Sequence, residues 1–373
     1  MSLKWWNLNK VPFNKHPQFI VRFENPFNGG APLNLLTQTY ITPTNLFFVR
    51  SHGDVPQVDI NSYRLNINGK GNKTLSLSLD EIKNNFERVE VSATLQCAGN
   101  RRQELMAVKD IPHELPWNVE AISHAVWAGI KLKDVLASAG VENDAHGLHI
   151  QFQGLDETER LGKKINFGGS IPYEKAINDE VILAYEMNGE PLAPVHGFPL
   201  RAVVPGFIGA RSVKWLNQIT VSDEPSQNYF QRIAYRLFSP QVNAETVKWD
   251  DGLMLSEMNV TSVICLPENN QRLTSGFISV RGYAATGGNR YIARVEISHD
   301  GGETWTQAEL LNNANCFAWT LWKVDLNLEK GKHQLVVRAI DSSANTQPKD
   351  VAQVWNFKGY MNNAWHRVSF VVG

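Results

Sequence analysis

The sequence has few cysteines, no long apolar run and almost no net charge, and each shortage excludes a class of protein. Its 373 residues include only Cys97, Cys265 and Cys316, too few for a disulfide framework, so we expect a reducing compartment or one thiol with a chemical role. No stretch approaches 18 apolar residues, which excludes a membrane-spanning helix. With 36 Lys and Arg against 37 Asp and Glu, the net charge of −1 attracts neither nucleic acid nor an anionic membrane. Any anion site must therefore be local.

The start of the sequence carries no sign of a targeting segment. Residues 1–10 contain neither an apolar core nor a small-residue cleavage site, so no signal peptide is expected there. The last residues, 370–373, differ from a peroxisomal signal. We therefore expect a cytoplasmic protein, or a periplasmic one if a longer precursor carries a leader upstream.

The pattern of apolar residues changes near residue 223, where helical periodicity gives way to short alternating runs. This change predicts two domains, as the length of the chain also does. Residues 1–222 mix short helices and strands without regular βαβ repetition, which predicts an α+β domain. Residues 223–373 show short alternating runs separated by Gly-rich turns, which is typical of an all-β immunoglobulin-like sandwich. The strands expected in this second part are 277–283, 291–298, 317–325, 334–340 and 352–357.

Local signals predict several elements of the first part. Residues 58–67 alternate at period two and predict a strand. The segment Ser78–Glu81 is a capping box that opens a short helix. The apolar run Val89–Gln96 predicts a strand that ends just before Cys97, and 132–139 predicts a helix. Further strands are expected at 148–153, 181–186, 200–204 and 213–221.

The run Thr94–Arg102 contains the most distinctive chemistry of the sequence. A single thiol, Cys97, ends an apolar strand and is followed by small residues and two arginines. Nearby positive charge favours the thiolate, which is a soft ligand for a redox metal and also a nucleophile. The alternative is a buried structural cysteine beside a surface pair of arginines, and composition alone favours that alternative.

The same nine residues resemble the signature of the sulfite oxidase family of molybdenum enzymes, in which this cysteine binds the metal. Further matches follow in chain order at 47–52, 117–129, 185–189, 196–201, 204–215, 235–240 and 365–367. The resemblance implies a cofactor-binding catalytic domain, residues 1–222, followed by an immunoglobulin-like dimerisation domain, residues 223–373. It implies a haem-free form, because the sequence contains no His-Pro-Gly-Gly or Cys-x-x-Cys-His segment.

The resemblance also implies a molybdenum–molybdopterin cofactor, a pterin with a dithiolene and a phosphate, with Cys97 as the metal ligand. The phosphate requires fixed cations and hydrogen-bond donors, including backbone donors near 48–52 and 212–214. Asp156 is expected to accept from the amino edge of the pterin. The residues implied for cofactor binding are Phe48, Val49, Arg50, Ser51, His52, Asp156, His196, Arg201, Ser212, Val213 and Lys214.

The implied substrate is the small oxyanion sulfite, which receives an oxygen atom and leaves as sulfate. A dianion in a narrow pocket favours arginine, whose charge is permanent. Two one-electron steps to an external acceptor, a cytochrome or dioxygen, then restore the metal. A homodimer through the second domain is expected, since two-fold dimers are the commonest assemblies. The residues implied for catalysis are Arg50, Arg102, Tyr235, Trp117 and Lys358.

Lys358 is the main departure from the family pattern. Animal and plant sulfite oxidases carry an arginine at this position, and eukaryotic nitrate reductases carry an uncharged residue. Lysine keeps the charge but loses the planar fork of donors. We expect Lys358 in the pocket as a weaker anion clamp, with a solvated strand position as the alternative. A related molybdoenzyme acting on another small oxyanion or an S-oxide, such as nitrate, is therefore the alternative function.

Three interpretations outside molybdenum chemistry are also considered. One is a non-enzymatic binding module on a degenerate cofactor domain. The intact Cys97, together with Arg50, Arg102 and Tyr235, argues against it. A zinc site lacks the usual Cys-x-x-Cys or His-Glu-x-x-His spacing. A cysteine hydrolase would pair Cys97 with a histidine such as His52 or His196, without a supporting motif.

Overall fold

The computed structural model describes residues 11–71, 73–141 and 146–373, so the N-terminal residues 1–10 assessed above lie outside it. Among the described residues, every helix falls short of the length and apolar character needed to cross a membrane. The α-helices are α1 (Leu33–Leu36), α2 (Leu79–Asn85), α3 (Arg102–Val108), α4 (Leu132–Ser138) and α5 (Tyr173–Ala176). Short 3-10 helices lie at Pro12–Asn14, Pro194–His196, Gly209–Arg211, Trp249–Asp251 and Val351–Val354, and a π-helical turn lies at Phe230–Ala234.

The N-terminal part is built on two five-stranded sheets, one antiparallel and one mixed, in which only β3 and β12 run parallel. Its strands are β1 (Ile20–Phe23), β2 (Asn28–Gly30), β3 (Leu65–Gly69), β4 (Leu75–Leu77), β5 (Val89–Gln96), β6 (Ile122–Lys131), β7 (His149–Arg160), β8 (Lys163–Pro172), β9 (Ile182–Met187), β10 (Glu190–Pro191), β11 (Arg201–Val203), β12 (Leu216–Ser222), β13 (Arg236–Leu237) and β14 (Leu253–Met254). One sheet has the order β10–β9–β6–β5, with β11 also paired to β9, and the other has the order β4–β3–β12–β7–β8. Side chains of both sheets meet in one buried core, which confirms the α+β prediction.

Most local predictions for this domain are confirmed. Ser78 caps α2 through the reciprocal capping box with Glu81, and the predicted strand 89–96 is β5. The predicted strand 58–67 is wrong in its first half, because β3 begins only at Leu65. The carboxylate of Asp59 accepts hydrogen bonds from the backbone N–H of Asn61 and the hydroxyl of Ser62, both at 3.1 Å. These local hydrogen bonds favour a turn over an extended strand at residues 59–62. The alternation of apolar residues gives no sign of this turn.

The C-terminal part is an all-β sandwich, as predicted. Its strands are β15 (Thr261–Leu266), β16 (Arg272–Leu273), β17 (Gly276–Ala285), β18 (Ile292–Ser298), β19 (Thr306–Gln307), β20 (Glu309–Leu310), β21 (Thr320–Leu328), β22 (Gly331–Asp341) and β23 (His366–Val372). The sheets have the orders β15–β17–β21–β20 and β16–β23–β22–β18–β19, and their facing apolar side chains form a separate core. The predicted strand 352–357 is wrong, because Asp350 and Gln353 form a capping box that starts a 3-10 helix there.

The change from one core to the other falls later than residue 223. Phe230, Tyr235, Leu255 and Met258 are buried in the core of the N-terminal domain, whereas Val260 is buried in the core of the sandwich. The segment at 223–226 packs with the N-terminal domain, since Ser226 is buried and its N–H donates to the hydroxyl of Ser170 in β8 at 2.9 Å. We propose that the domain boundary lies between residues 258 and 260.

The two domains share an interface close to the thiol. The hydroxyl of Tyr283 in β17 donates to the carbonyl of Val119 at 2.7 Å and accepts from the side chain of Asn100 at 3.0 Å. Asn362, in the segment before β23, donates to the carbonyl of Arg101 at 3.0 Å. These bonds fix the loop after Cys97 against the sandwich.

Candidate active site

A cavity opens at the end of β5 and is lined by side chains from both sheets and from the loops between strands. It contains about 640 Å³ of space between atoms, part of which opens to solvent. Residues that are up to about 190 positions apart in the sequence converge there. The predicted site residues that line it are Phe48, Arg50, Ser51, His52, Cys97, Asp156, His196, Arg201, Ser212, Lys214 and Tyr235.

Cys97 projects into this cavity from a fixed backbone. Its N–H donates to the carbonyl of Ala121 at 2.9 Å, and its carbonyl accepts from the N–H of Asn100 at 2.9 Å. The sulfur has one weak contact, an N–H donated by Gly99 at 3.4 Å. The thiol is therefore held in position by the backbone while its sulfur stays available as a ligand for a soft metal.

The wall of the cavity carries the buried Arg201 and the partly buried Lys214, neither of which forms a salt bridge among the described residues, although the carboxylate of Asp156 interacts with Lys214. Arg201 donates to the carbonyls of His196 at 2.9 Å and Ser212 at 3.1 Å, and Lys214 donates to the hydroxyl of Ser51 at 2.9 Å. Burial lowers the pKa of Arg201 to about 9, and burial together with the charge of Arg201 lowers the pKa of Lys214 to about 7. Burying cations without a counter-charge is costly. The arrangement therefore fits an anionic ligand such as a phosphate group.

Lys15 adds a further cation that the sequence analysis missed. Its Nζ donates to the carbonyls of Thr44 and Phe47, each at 2.8 Å, and lies 2.7 Å from Nε2 of His196. Burial and the charge of Lys214 hold the pKa of Lys15 well below its ordinary value. A lone lysine in a polar segment carries no motif or periodicity, so no sequence signal marks it.

Glycine 197 allows the cationic wall to be this compact. It has a positive φ of 108°, and a Cβ atom there would lie 3.1 Å from Cβ of Lys214 and 3.2 Å from Cβ of Arg201. A side chain at this position would separate the two cations and strain the backbone. The short 3-10 helix that carries His196 ends at this glycine.

Asp156 is placed in the cavity by an irregularity in β7. The pairing of β7 with β8 shifts register between Gln153 and Glu157, which turns the intervening residues inward. Burial raises the pKa of Asp156 to about 6, while Lys214 acts in the opposite direction. Within the part of the chain that the structure describes, its buried Oδ1 atom has no hydrogen-bond partner. A buried acceptor of this kind calls for a donor from a ligand, as the amino edge of a pterin would provide.

A chain of hydrogen bonds orients Tyr235. Nη2 of Arg50 lies 3.1 Å from Nδ1 of His52, and Nε2 of His52 lies 2.8 Å from the hydroxyl of Tyr235. Burial, with Arg50 and other cations, holds the pKa of His52 well below its ordinary value, so the ring is neutral. Since a guanidinium only donates, Nδ1 accepts and Nε2 carries the hydrogen, which it donates to Tyr235. The hydroxyl hydrogen of Tyr235 remains available for an acceptor in the cavity.

Three predicted residues contribute apolar packing instead of lining the cavity. Val49 packs in a small cluster with Phe19 and Phe27, Val213 lies in the main core, and Trp117 is completely buried in the cluster that contains Cys97. This placement corrects the expectation that Trp117 forms a wall of the substrate pocket, whereas Val49 and Val213 were expected to act through backbone donors. Burial of such large apolar groups stabilises the fold more than exposure at a ligand site would.

The expected backbone donors are also partly engaged within the protein. The N–H groups of Phe48, Val49 and Ser51 donate to Ser123 Oγ, the Gly29 carbonyl and Asn28 Oδ1 respectively. The N–H of Ser212 donates to the carbonyl of Gly209. The expectation that these four N–H groups bind a phosphate is therefore corrected, and side chains form the cationic wall.

Arg102 and Lys358 lie beside the cavity and share one carboxylate. Arg102 is buried, and a Cβ atom on Gly99 would lie 2.5 Å from its Nη2, so the guanidinium packs against the loop that follows Cys97. Oε1 of Glu114 lies 2.7 Å from Nζ of Lys358, and Oε2 lies 3.5 Å from Nη2 of Arg102. Lys358 is thus part of an ion pair near the site instead of a solvated strand residue. Glu114 was not predicted from the sequence, where only the unpaired charge of Lys358 could have indicated it.

The geometry also bears on the zinc and hydrolase interpretations. Among the described residues, no three His, Cys, Asp or Glu side chains converge as a zinc site requires. His52 and His196 line the same cavity as Cys97, but their recorded contacts are with Arg50, Tyr235, Lys15 and a carbonyl. The thiol–imidazole pair of a cysteine hydrolase is therefore not formed among these contacts.

The cavity combines one soft ligand, cationic side chains and an unpartnered carboxylate. It lies in an α+β domain that is followed by a β-sandwich. This combination defines a molybdopterin-binding oxidoreductase. Two family profiles agree with this class. The profile described as "Oxidoreductase molybdopterin binding domain" matches residues 52–230, and the one described as "Mo-co oxidoreductase dimerisation domain" matches residues 253–372.

Individual relatives define the family further. The chain is 44% identical to a mitochondrial sulfite oxidase of Homo sapiens over 96% of its own length and 66% of that protein. It is 39% identical to a sulfite oxidase of Arabidopsis thaliana, covering 96% of this chain and 95% of the relative. The crystal structure of the sulfane dehydrogenase SoxCD from Paracoccus pantotrophus matches with a TM-score of 0.79 and 26% identity, covering 100% of this chain and 90% of the other. The chain belongs to the sulfite oxidase family of molybdopterin oxidoreductases.

Proposed function

We propose that this protein oxidises sulfite to sulfate and passes the electrons to an external acceptor. The observation that carries the proposal is Cys97, whose sulfur faces a cavity lined by the cationic side chains Arg50, Arg201 and Lys214. The net reaction consumes sulfite and water and gives sulfate, two protons and two electrons. The relatives named as sulfite oxidases support the substrate, and the small size of an oxyanion suits a narrow cationic pocket.

The residues present fit the cofactor by charge and donor type. Cys97 would bind the molybdenum, and Lys214, Arg201 and His196 would surround the phosphate, with Lys15 behind His196. Asp156 would accept from the amino groups of the pterin through its unpartnered oxygen. When bound, the group supplies the two-electron redox chemistry of oxygen-atom transfer.

The protein's own residues would bind and orient the substrate. Arg50 and Arg102 supply positive charge, which attracts an oxyanion. Tyr235 directs its hydroxyl hydrogen towards the cavity, because His52 already donates to its oxygen. Such preoriented donors stabilise developing negative charge without reorganisation during the reaction.

Assembly and electron transfer are further parts of the proposal. The match to a dimerisation domain supports a homodimer formed through the sandwich. A cytochrome or dioxygen is the proposed electron acceptor. Analytical ultracentrifugation of the purified protein tests the dimer, and a monomer at micromolar concentration would contradict it.

Elemental analysis and a sulfite-dependent dye-reduction assay test the function together. We expect about one molybdenum per chain in the purified protein and dye reduction with sulfite, with nitrate and sulfoxides as separate substrates. Cys97→Ser should lose most of the metal, while Cys316→Ser, which changes a thiol outside the cavity lining, should retain it. Full molybdenum content in Cys97→Ser would contradict the ligand assignment. A metal-loaded protein that reduces nitrate faster than it oxidises sulfite would favour the alternative function.

A further inference from the structure

An acidic side chain occupies the place where an oxyanion would pair with Arg102. Of the donors of Arg102, Nε donates to the carbonyl of Gly359 at 3.0 Å and Nη1 to the carbonyl of Leu115 at 2.9 Å. Nη2 faces Oε2 of Glu114 at 3.5 Å. Nη2, the guanidinium nitrogen of Arg102 that these two carbonyls do not engage, therefore faces a carboxylate.

Glu114 also neutralises the second cation of this group. Its Oε1 lies 2.7 Å from Nζ of Lys358, and the Glu114 and Lys358 side chains are 18% and 17% exposed. Burial favours the protonated form of Glu114, but Arg102 and Lys358 outweigh it and hold its pKa below the ordinary value. Glu114 is thus a carboxylate at neutral pH, and it cancels one of the two positive charges beside the cavity.

Aromatic contacts connect the cluster of Arg102, Glu114 and Lys358 to Tyr235, the candidate catalytic tyrosine. The guanidinium of Arg102 lies 5.2 Å from the ring centre of Tyr360, and that ring stacks on Tyr235 with centres 5.3 Å apart. The charge of Arg102 also reaches Tyr235 and His52, since it shifts the pKa of each. Glu114 therefore lies in the layer next to the residues that would bind the substrate.

We propose that Glu114 is a specificity-determining residue, an internal carboxylate that competes with dianions for Arg102 and Lys358. The proposal rests on the proposed function, because it places an oxyanion pocket at Arg102. A bound dianion must either displace the carboxylate or tolerate a like charge beside it, and both weaken binding. Monoanions and neutral S-oxides are disfavoured less, and a dianionic product such as sulfate is released more readily.

The test measures sulfate affinity for the molybdenum-loaded protein by calorimetry, with nitrate and dimethyl sulfoxide as the monoanionic and neutral probes. In Glu114→Gln, which keeps the shape and removes the charge, we expect sulfate to bind at least about tenfold more tightly, with a smaller gain for nitrate. Dimethyl sulfoxide affinity should stay the same. Asp110→Asn is the matched control, because it removes an exposed negative charge from the same loop and should leave all three affinities unchanged.

Unchanged or weaker sulfate binding in a folded Glu114→Gln protein would overturn the proposal, since a merely structural carboxylate would not produce tighter binding when removed. If Glu114→Gln does not fold, Lys358→Met serves instead. It leaves Glu114 to Arg102 alone, so sulfate binding should weaken, and unchanged binding would overturn the proposal.

Sulfate binding separates this proposal from the proposed function, because it needs no turnover. A protein that fails to oxidise sulfite but binds sulfate more tightly as Glu114→Gln would contradict only the function. In an active enzyme, the same variant should lower KM for sulfite and strengthen inhibition by sulfate. A variant that oxidises sulfite with an unchanged KM and unchanged sulfate inhibition would contradict only the role of Glu114.

Discussion

Removal of one oxygen atom from Tyr235 should reduce sulfite oxidation strongly while leaving the cofactor in place. In the structure, Arg50 donates to Nδ1 of His52, and Nε2 of His52 donates to the hydroxyl of Tyr235 at 2.8 Å. The hydroxyl hydrogen is therefore the end of an oriented chain that terminates in the cavity. Tyr235→Phe deletes that donor and keeps the ring and its stacking on Tyr360.

The expected magnitude follows from the kind of hydrogen bond that is lost. A hydrogen bond to a charged acceptor contributes about 1.5–3 kcal/mol, which corresponds to roughly a 10- to 100-fold lower kcat/KM. The buried Nε2–H of His52 also loses its acceptor, at a cost of about 1–3 kcal/mol in the free energy of unfolding. We therefore expect Tm to fall by a few degrees at the same time.

The matched control is Tyr63→Phe, another buried tyrosine whose hydroxyl donates to a protein carbonyl, that of Leu216, away from the cavity lining. It should lower Tm similarly and leave kcat/KM unchanged. The assays are dye-coupled sulfite oxidation, molybdenum analysis and thermal melting. If Tyr235→Phe retained its molybdenum and its kcat/KM within about twofold of the parent protein, the assigned direction of the hydrogen-bond chain would be refuted.

Three further predictions concern the cofactor-binding wall. Asp156→Asn should lower cofactor retention by about tenfold without lowering the Tm of the cofactor-free protein, because its buried Oδ1 has no partner to lose; a clear drop in that Tm would contradict this. Lys15→Gln should also lower retention by about tenfold, measured as molybdenum after dialysis, because a buried cation next to His196 is lost; full retention would show that the charge is irrelevant. The cofactor-free protein should become more stable as pH rises from about 7 to 10. Above its pKa of about 7, Lys214 is neutral in the folded state, while the same side chain in the unfolded chain still binds a proton. The free energy of unfolding should therefore rise by up to about 1.4 kcal/mol per pH unit. The bound phosphate should raise this pKa and flatten the slope, so equal slopes of Tm against pH with and without cofactor would contradict the assignment.

The sequence by itself determined the class of each domain and predicted most of the polar side chains that line the cavity. The ordered motifs resemble one family closely enough to imply the cofactor, and the short alternating runs between residues 277 and 340 predict the sandwich. Hydrogen-bond motifs between residues that are close in the chain, such as the capping box at Ser78, can also be predicted from the sequence. These features depend on neighbours in the chain, so the chain itself specifies them.

Only the tertiary structure decided which residues meet from distant parts of the chain. Lys15 reaches His196 across 181 positions, and Lys358 reaches Glu114 across 244 positions, and neither pair leaves a pattern in the sequence. Trp117 was assigned to the substrate pocket, but packing placed it in the core beside Cys97. The reason is physical: buried charges and large apolar rings are placed by the low-dielectric interior that the whole fold creates, and no local stretch of sequence contains that interior.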